Sequence, residues 1–225
     1  MKHAVSLLFD RLFLDNPALA GEKKHIEAMF SCIAQTYCNG GKLLVAGNGG
    51  SCADAEHIVG ELMKRFLIPR PIPAEIREAL MSFGADGNEL CSRLEGALTA
   101  ISLCGHPALS TAFSNDAEPA MGFAQQVLGY GKPGDTLLVI STSGNSKNCV
   151  YAAECAKAIG MHVVAMTGAN ESRLSALADV TYFAPAAETY RVQEFHLPVY
   201  HALCAMLEAE FFAPEPSEPS SAQNE

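Results

Sequence analysis

The chain has 225 residues, 49% of them hydrophobic and 18% charged. This is a globular composition that excludes a wholly disordered polymer and suits one domain or one domain with an appendage. Asp and Glu outnumber Lys and Arg by 25 to 15, a net charge of −10. Such a field argues against a sequence-independent grip on nucleic acid, yet leaves backbone N–H groups and hydroxyls free to hold one phosphate of a small molecule. No apolar run approaches the roughly 18 residues of a membrane span. The apolar stretch 4–14 is broken by Asp10 and Arg11 and has no small-residue cleavage site after it, so it does not read as a signal peptide. The 8 cysteines are scattered with no C-x-x-C pair, which fits buried reduced thiols in a cytoplasmic protein better than a disulfide scaffold.

Two helices are expected in the first forty residues. Val5, Leu8, Phe9 and Leu12 form one apolar stripe; after Asn16-Pro17, Ile26, Met29, Phe30 and Ile33 form a second, which stops at Asn39-Gly40-Gly41. Both stripes read as core or subunit packing. The period then changes: an apolar run at 42–46 ends in Gly47-Asn48-Gly49-Gly50-Ser51, followed by a helical pattern over 52–66. Residues 68–73 carry three prolines and read as extended. They lead to a short amphipathic helix over 74–83, a turn at 84–87 and a segment 88–95, together an excursion outside the sheet. An apolar run follows at 98–103. The strand–turn–helix unit returns at Thr136–Ile140, Ser141-Thr142-Ser143-Gly144-Asn145-Ser146 and Lys147–Ile159. It returns again at 162–166, Thr167-Gly168 and 173–178, with a last short strand at Val180–Phe183. Short continuous apolar strands alternating with helices predict a parallel sheet covered on both faces, with ligands beyond the C-terminal strand ends. A long helix is expected over 188–212, kinked or broken at Pro198. The Pro/Ser/Glu-rich tail 214–225 reads as disordered.

Three groups of residues can carry chemistry. The 47–51 turn lacks the third glycine of a dinucleotide fingerprint, since Cys52 stands there, and no acidic residue follows a second strand at the expected distance. A glycine turn needed only for chain geometry is a credible reading, and Ser51 at the helix start, where hydroxyl and N–H can meet an anion, adds to the functional one. The 141–146 loop gathers hydroxyls and free N–H groups at a strand end just before a helix. It is neither a Walker loop nor G-x-S-x-G; it suits a phosphate, or else an N-cap cluster without a ligand. His57 and Glu61 share a helix face, and Gln193 and His201, eight residues apart, share another apart from Pro198 between them. Two imidazoles, a carboxylate and an amide oxygen form a four-ligand zinc set on paper, while His57 and Glu61 alone also suit a local hydrogen-bonded pair. Glu194 is a spare candidate and His196 reads as a supporting or packing residue.

These pieces together, with Asp54, Ser114-Asn115-Asp116 and Thr189-Tyr190-Arg191-Val192-Gln193-Glu194, resemble the phosphoheptose isomerases, members of the sugar-isomerase (SIS) domain proteins. The resemblance runs from about Glu22 to Phe212. It implies an α/β fold: an SIS-type parallel five-stranded sheet sandwiched by helices, here with N-terminal helices and an inserted excursion at 69–95 in a single domain over 1–213. It implies a cytoplasmic homotetramer with sites between subunits, acting on a small phosphorylated sugar, with no nucleic-acid or membrane partner. The activity implied is interconversion of sedoheptulose 7-phosphate and D-glycero-D-manno-heptose 7-phosphate by enediol proton transfer. On the same resemblance Ser141, Thr142, Ser143 and Ser146 hold the phosphate. Asn48, Ser51, Asn115 and Asp116 contact the sugar, with Gly49, Gly50, Glu61 and Gln193 also at the substrate. His57, Glu61, Gln193 and His201 bind zinc, and Glu61 (base) and His201 (acid) move the proton. The competing expectations are a non-catalytic SIS-domain binding protein of the replication-initiator-regulator kind, and an isomerase of another phosphosugar.

Overall fold

A computed structural model describes residues 2–214. The N-terminal stripes become α1 (His3–Asp15), a 3-10 turn at Pro17–Glu22 and α2 (Lys23–Cys38). Val5, Phe9 and Leu12 are buried on α1, and Ile26, Met29, Phe30 and Ile33 on α2, the residues whose spacing defines the stripes. The first strand–turn–helix unit is β1 (Leu43–Gly47) and α3 (Gly50–Met63); the second is β3 (Thr136–Ile140) and α8 (Lys147–Ile159). Between them lie α4 (Ala74–Met81), α5 (Gly84–Arg93), β2 (Ala100–Ser102), α6 (Pro107–Asp116) and α7 (Gly122–Tyr130). After them come β4 (His162–Thr167), α9 (Arg173–Leu177), β5 (Val180–Phe183) and α10 (Thr189–Phe212).

All neighbouring strands pair in parallel, in the order β2-β1-β3-β4-β5. Side chains alternate across the sheet, so Leu43, Val45, Leu138, Ile140, Val164 and Met166 join one core with α1, α2, α3 and α10. Leu44, Ala46, Leu137, Val139, Val163 and Ala165 join a second core with α7, α8 and α9. β1 and β3, in the middle of the sheet, are buried at every position because both faces are covered. In this doubly wound order the chain reverses direction across the sheet between β1 and β3. The loops leaving their C-terminal ends diverge there and open a crevice, and the register Gly47↔Ile140 sets the 47–51 and 141–146 turns side by side at it. No helix among the described residues is long and apolar enough to cross a membrane.

Two expectations are corrected, and the stretch 104–135, to which the sequence pattern assigns no element, contains α6 and α7. Helix α10 runs unbroken through Pro198: the ring removes one N–H, but the carbonyl it deprives belongs to Glu194, an exposed residue. The second half of the excursion begins its helix at Gly84 rather than after a turn. The expectation of a disordered tail lies, Pro214 apart, outside the described residues.

The excursion is clamped at its base. Arg70 and Glu208 are buried and paired, Nε to Oε1 at 2.7 Å. Glu208 also accepts the N–H groups of Phe66, Leu67 and Ile68, and Arg70 donates to the carbonyls of Glu61 and Leu62. Burial alone would raise the Glu208 carboxyl; the Phe66 and Leu67 amides and Arg70 hold it below its usual value. The α3 C-terminus, whose last carbonyls lack helical partners, is thus tied to α10 by a guanidinium. Beyond this clamp α4 buries no residue, and Ile76, Met81, Phe83 and Leu90 stay exposed on the α4–α5 hairpin.

Candidate functional site

The site begins with backbone. Helix α3 starts straight after Gly49, whose φ of 57° suits glycine, and has no side-chain cap. Helix α8 likewise begins without a side-chain cap after Ser146. Gly144 adopts φ 62° and lies so close to Ser172 that a Cβ would collide with it. Two uncapped helix N-termini therefore meet beside the switch point, where their N–H groups and dipoles favour an anion. A cleft of about 300 Å³ there is lined by Asn48, Gly49, Gly50 and Ser51 from the first turn and by Ser141, Thr142 and Ser146 from the second; Gln193 closes it from α10. Ser141 Oγ lies 3.4 Å from Ser146 Oγ. A side chain at Gly50 would run into the Gln193 amide.

The expected phosphate and sugar residues do not all line this cleft. Ser143 lines a separate cleft with Asn145 and Asn170, and Thr142 borders both. Asn115 and Asp116 are exposed at the end of α6 and bonded to each other, Nδ2 to Oδ1 at 2.8 Å. Their neighbour Ser114 lines a cleft of about 280 Å³ with Gly47, Asn48, Cys52 and Cys104. Asn48 joins this cleft to the first, and its amide exchanges hydrogen bonds with Asn148 at 2.9 and 2.8 Å. Asn148 carries no motif, and its role is visible only once α8 stands beside β1. Burial and the Cys104 thiol push Cys52 up to about 11, and burial pushes Cys149 up to about 12. These thiols stay protonated near neutrality and are poor nucleophiles. All eight cysteines are free thiols; Cys38 is exposed.

A second group lies further along α3. His57 Nε2 stands 3.2 Å from Glu61 Oε1, and the His57 and His201 rings meet edge-on with centroids 4.9 Å apart. Glu61 Oε2 is buried with no hydrogen-bond partner. Burial and His57 lower the His201 pKa from its ordinary value, against the pull of Glu61, so near neutrality its imidazole is uncharged. The Tyr200 hydroxyl lies 3.1 Å from His57 Nδ1 and donates to Asp54 Oδ1 at 3.2 Å. Burial raises the Asp54 carboxyl, against the Tyr200 hydroxyl and His57. Burial and Asp54 raise Tyr200, which keeps its proton. Gln193 is not part of this group: it sits by Gly50, seven residues and about 10 Å up the helix from His57. Among the described residues no three His, Cys, Asp or Glu side chains converge closely enough to hold a metal ion. The donor types nonetheless suit zinc, and an unpartnered buried carboxylate oxygen beside two imidazoles is what a cation would satisfy.

The spare candidates resolve differently. Glu194 is exposed and pairs with Arg191. His196 is fully buried; its Nε2 lies 3.1 Å from the Thr167 carbonyl, and burial lowers its pKa to about 4. It is a neutral packing residue that ties α10 to the end of β4. Neither cleft that contains Asn48 is lined by the excursion.

The family model described as "SIS domain" matches residues 96–168. A phosphoheptose isomerase from Crocosphaera subtropica is 38% identical over 188 residues, 84% of this chain and 83% of that protein. A probable phosphoheptose isomerase from Thermoplasma acidophilum is 35% identical over 202 residues, 88% of this chain and 97% of that protein. Among solved structures, the phosphoheptose isomerase GmhA from Neisseria gonorrhoeae superposes with a TM-score of 0.70 at 29% identity, covering 91% of this chain and 97% of that one.

Proposed function

The chain belongs to the phosphoheptose isomerase family, and from that premise we propose that it interconverts sedoheptulose 7-phosphate and D-glycero-D-manno-heptose 7-phosphate. The observation that carries this reading is the presence of two chemically different stations on one helix. The N-terminus of α3 offers amides and hydroxyls to an anion, and His57 and Glu61 follow further along. Ser51 and His57 are six residues apart, about 9 Å along the axis, roughly the span of an extended sugar phosphate.

Ser141, Thr142 and Ser146 hold the phosphate, with Ser143 at most a peripheral contributor; Asn48, Gly49, Gly50, Ser51 and Gln193 face the sugar chain, and Asn115 and Asp116 reach it from α6. Glu61 is the base that removes the proton next to the carbonyl. His201, uncharged near neutrality, polarises the developing enediol oxygen by donating a hydrogen bond rather than by transferring a proton from an imidazolium. His57, Glu61 and His201, joined by Gln193 on rearrangement of its side chain, would hold a zinc ion. That ion would polarise the substrate carbonyl. The chain acts as one domain over 1–213, in the cytoplasm and as a homotetramer. Exposed Leu7 and Leu14 on α1 support the assembly, and the free thiols support the compartment.

The test is to incubate purified protein with sedoheptulose 7-phosphate and follow the sugar by NMR, with added zinc and with a chelator. Zinc-dependent appearance of the aldoheptose phosphate is expected. No turnover by folded, zinc-loaded protein would overturn the reading and leave a binding role or another phosphosugar.

A further inference from the structure

Asp54, His57 and Glu61 follow one another on a single face of α3 at spacings of three and four residues, and Tyr200 meets the first two from α10. The result is a continuous chain of polar atoms: Asp54 Oδ1, 3.2 Å to Tyr200 Oη, 3.1 Å to His57 Nδ1, and across the ring from Nε2, 3.2 Å to Glu61 Oε1. The proton inventory of this chain is restrictive. An ionised carboxylate only accepts, so Asp54 takes the single phenolic hydrogen of Tyr200. Tyr200 Oη then has only lone pairs to offer His57, and Nδ1 must bring the hydrogen. A neutral imidazole has one N–H, so Nε2 is left bare. It faces Glu61, another acceptor, and two electron-pair donors 3.2 Å apart are balanced by a metal cation or by a second proton on the ring.

Packing alone does not account for the arrangement. Tyr200 is almost fully buried, where a phenylalanine would fill the same space without a polar atom. Asp54 Oδ2 is buried with no partner, the kind of group that costs stability when it is left unmade. What the polar atoms achieve is direction: they decide which imidazole nitrogen points at Glu61.

We propose that Asp54 and Tyr200 are positioning residues that hold His57 as its Nδ1–H tautomer and present Nε2, beside Glu61, as a bare electron-pair donor to a divalent cation. Histidines that ligate metals through one nitrogen characteristically donate the other N–H to a fixed acceptor, and loss of that acceptor weakens binding about 10- to 100-fold. Here the acceptor is a phenol anchored by a carboxylate. The zinc part rests on the function proposed above; the tautomer does not.

The experiment is a long-range proton–nitrogen spectrum of metal-free protein labelled with 15N-histidine, at mildly alkaline pH. The His57 signals are assigned by their loss in His57→Gln. Protonated Nδ1 and bare Nε2 are expected for His57. His196, whose Nε2 faces the Thr167 carbonyl, is expected to show the opposite tautomer in the same spectrum and serves as the internal reference. Tyr200→Phe is expected to abolish the Nδ1–H preference of His57, leave His196 unchanged and weaken zinc about 10- to 100-fold in chelator competition. A proton on Nε2 in the wild type, alone or with Nδ1, would overturn the proposal, because the chain would then run from a protonated Asp54 or a charged ring. An unchanged tautomer and zinc affinity in Tyr200→Phe would overturn it equally. Wild-type protein that shows the Nδ1–H tautomer but binds no zinc would refute the proposed cofactor while leaving the relay intact.

Discussion

At the ends of β1 and β3 the candidate site is made of backbone and short hydroxyl side chains: two uncapped helix N-termini, Gly49, Ser51, Ser141 and Ser146. Further along α3 it is made of long titratable side chains that meet a second helix: His57, Glu61, Tyr200 and His201. The first region draws its polarity from peptide groups that any sequence would supply in that conformation, so its chemistry is distributed and each side chain is a modest increment. The second concentrates its chemistry in single atoms whose protons are fixed by their neighbours. Substitutions in the two regions therefore separate binding from turnover.

The largest effect is expected in the second region. Glu61→Gln keeps the size and removes the base, and should lower kcat about 10²- to 10⁴-fold with little change in KM. Steady-state kinetics at saturating substrate read it directly, and wild-type kcat in the variant would remove Glu61 from the proton transfer. Next comes the histidine between the regions. Burial lowers the His196 pKa to about 4 from an ordinary 6.5. Between those values the unfolded chain binds a proton that the native state does not, so stability falls as pH falls through this window, by about 3 kcal/mol in all. Urea midpoints at neutral and acid pH should show the loss in the wild type and a smaller one in His196→Gln. Equal losses would place the acid sensitivity elsewhere. The smallest effect belongs to the backbone-built cleft: Ser146→Ala should raise KM about tenfold with kcat retained, the worth of one hydrogen bond to a charged group. Ser143→Ala, on the far side of the loop, should raise it less. If Ser143→Ala proved the more damaging, the phosphate would lie in the cleft by Asn145 and the contrast between the regions would need redrawing.

Much of the fold was legible because local rules and burial agree. The apolar runs at Thr136–Ile140 and Val180–Phe183 and the helix Lys147–Ile159 appear at the boundaries their patterns indicate. Helix α6 was not legible because it buries no residue, so no apolar stripe announces it. Pro198 misled because the rule for proline concerns the hydrogen bond it removes, whereas the carbonyl left over here belongs to an exposed residue that water can serve. In the candidate site, the i,i+4 spacing of His57 and Glu61 was enough to place them together. Gln193 and His201 share a helix face, yet at eight residues apart they serve different ends of α3.

The sequence by itself determined the layer architecture, the two turns that form the crevice and the residue types available for phosphate, proton and metal. These depend on periodicity, glycine positions and side-chain chemistry, all of which are local. Only the tertiary structure decided which partners meet: Asn48 with Asn148, Arg70 with Glu208, and Tyr200 with both Asp54 and His57. These pairs lie 100 to 146 residues apart in the chain. No local pattern encodes them, because they arise from the packing of α3, α8 and α10 against a common sheet, and that packing fixes which atom of each side chain faces which.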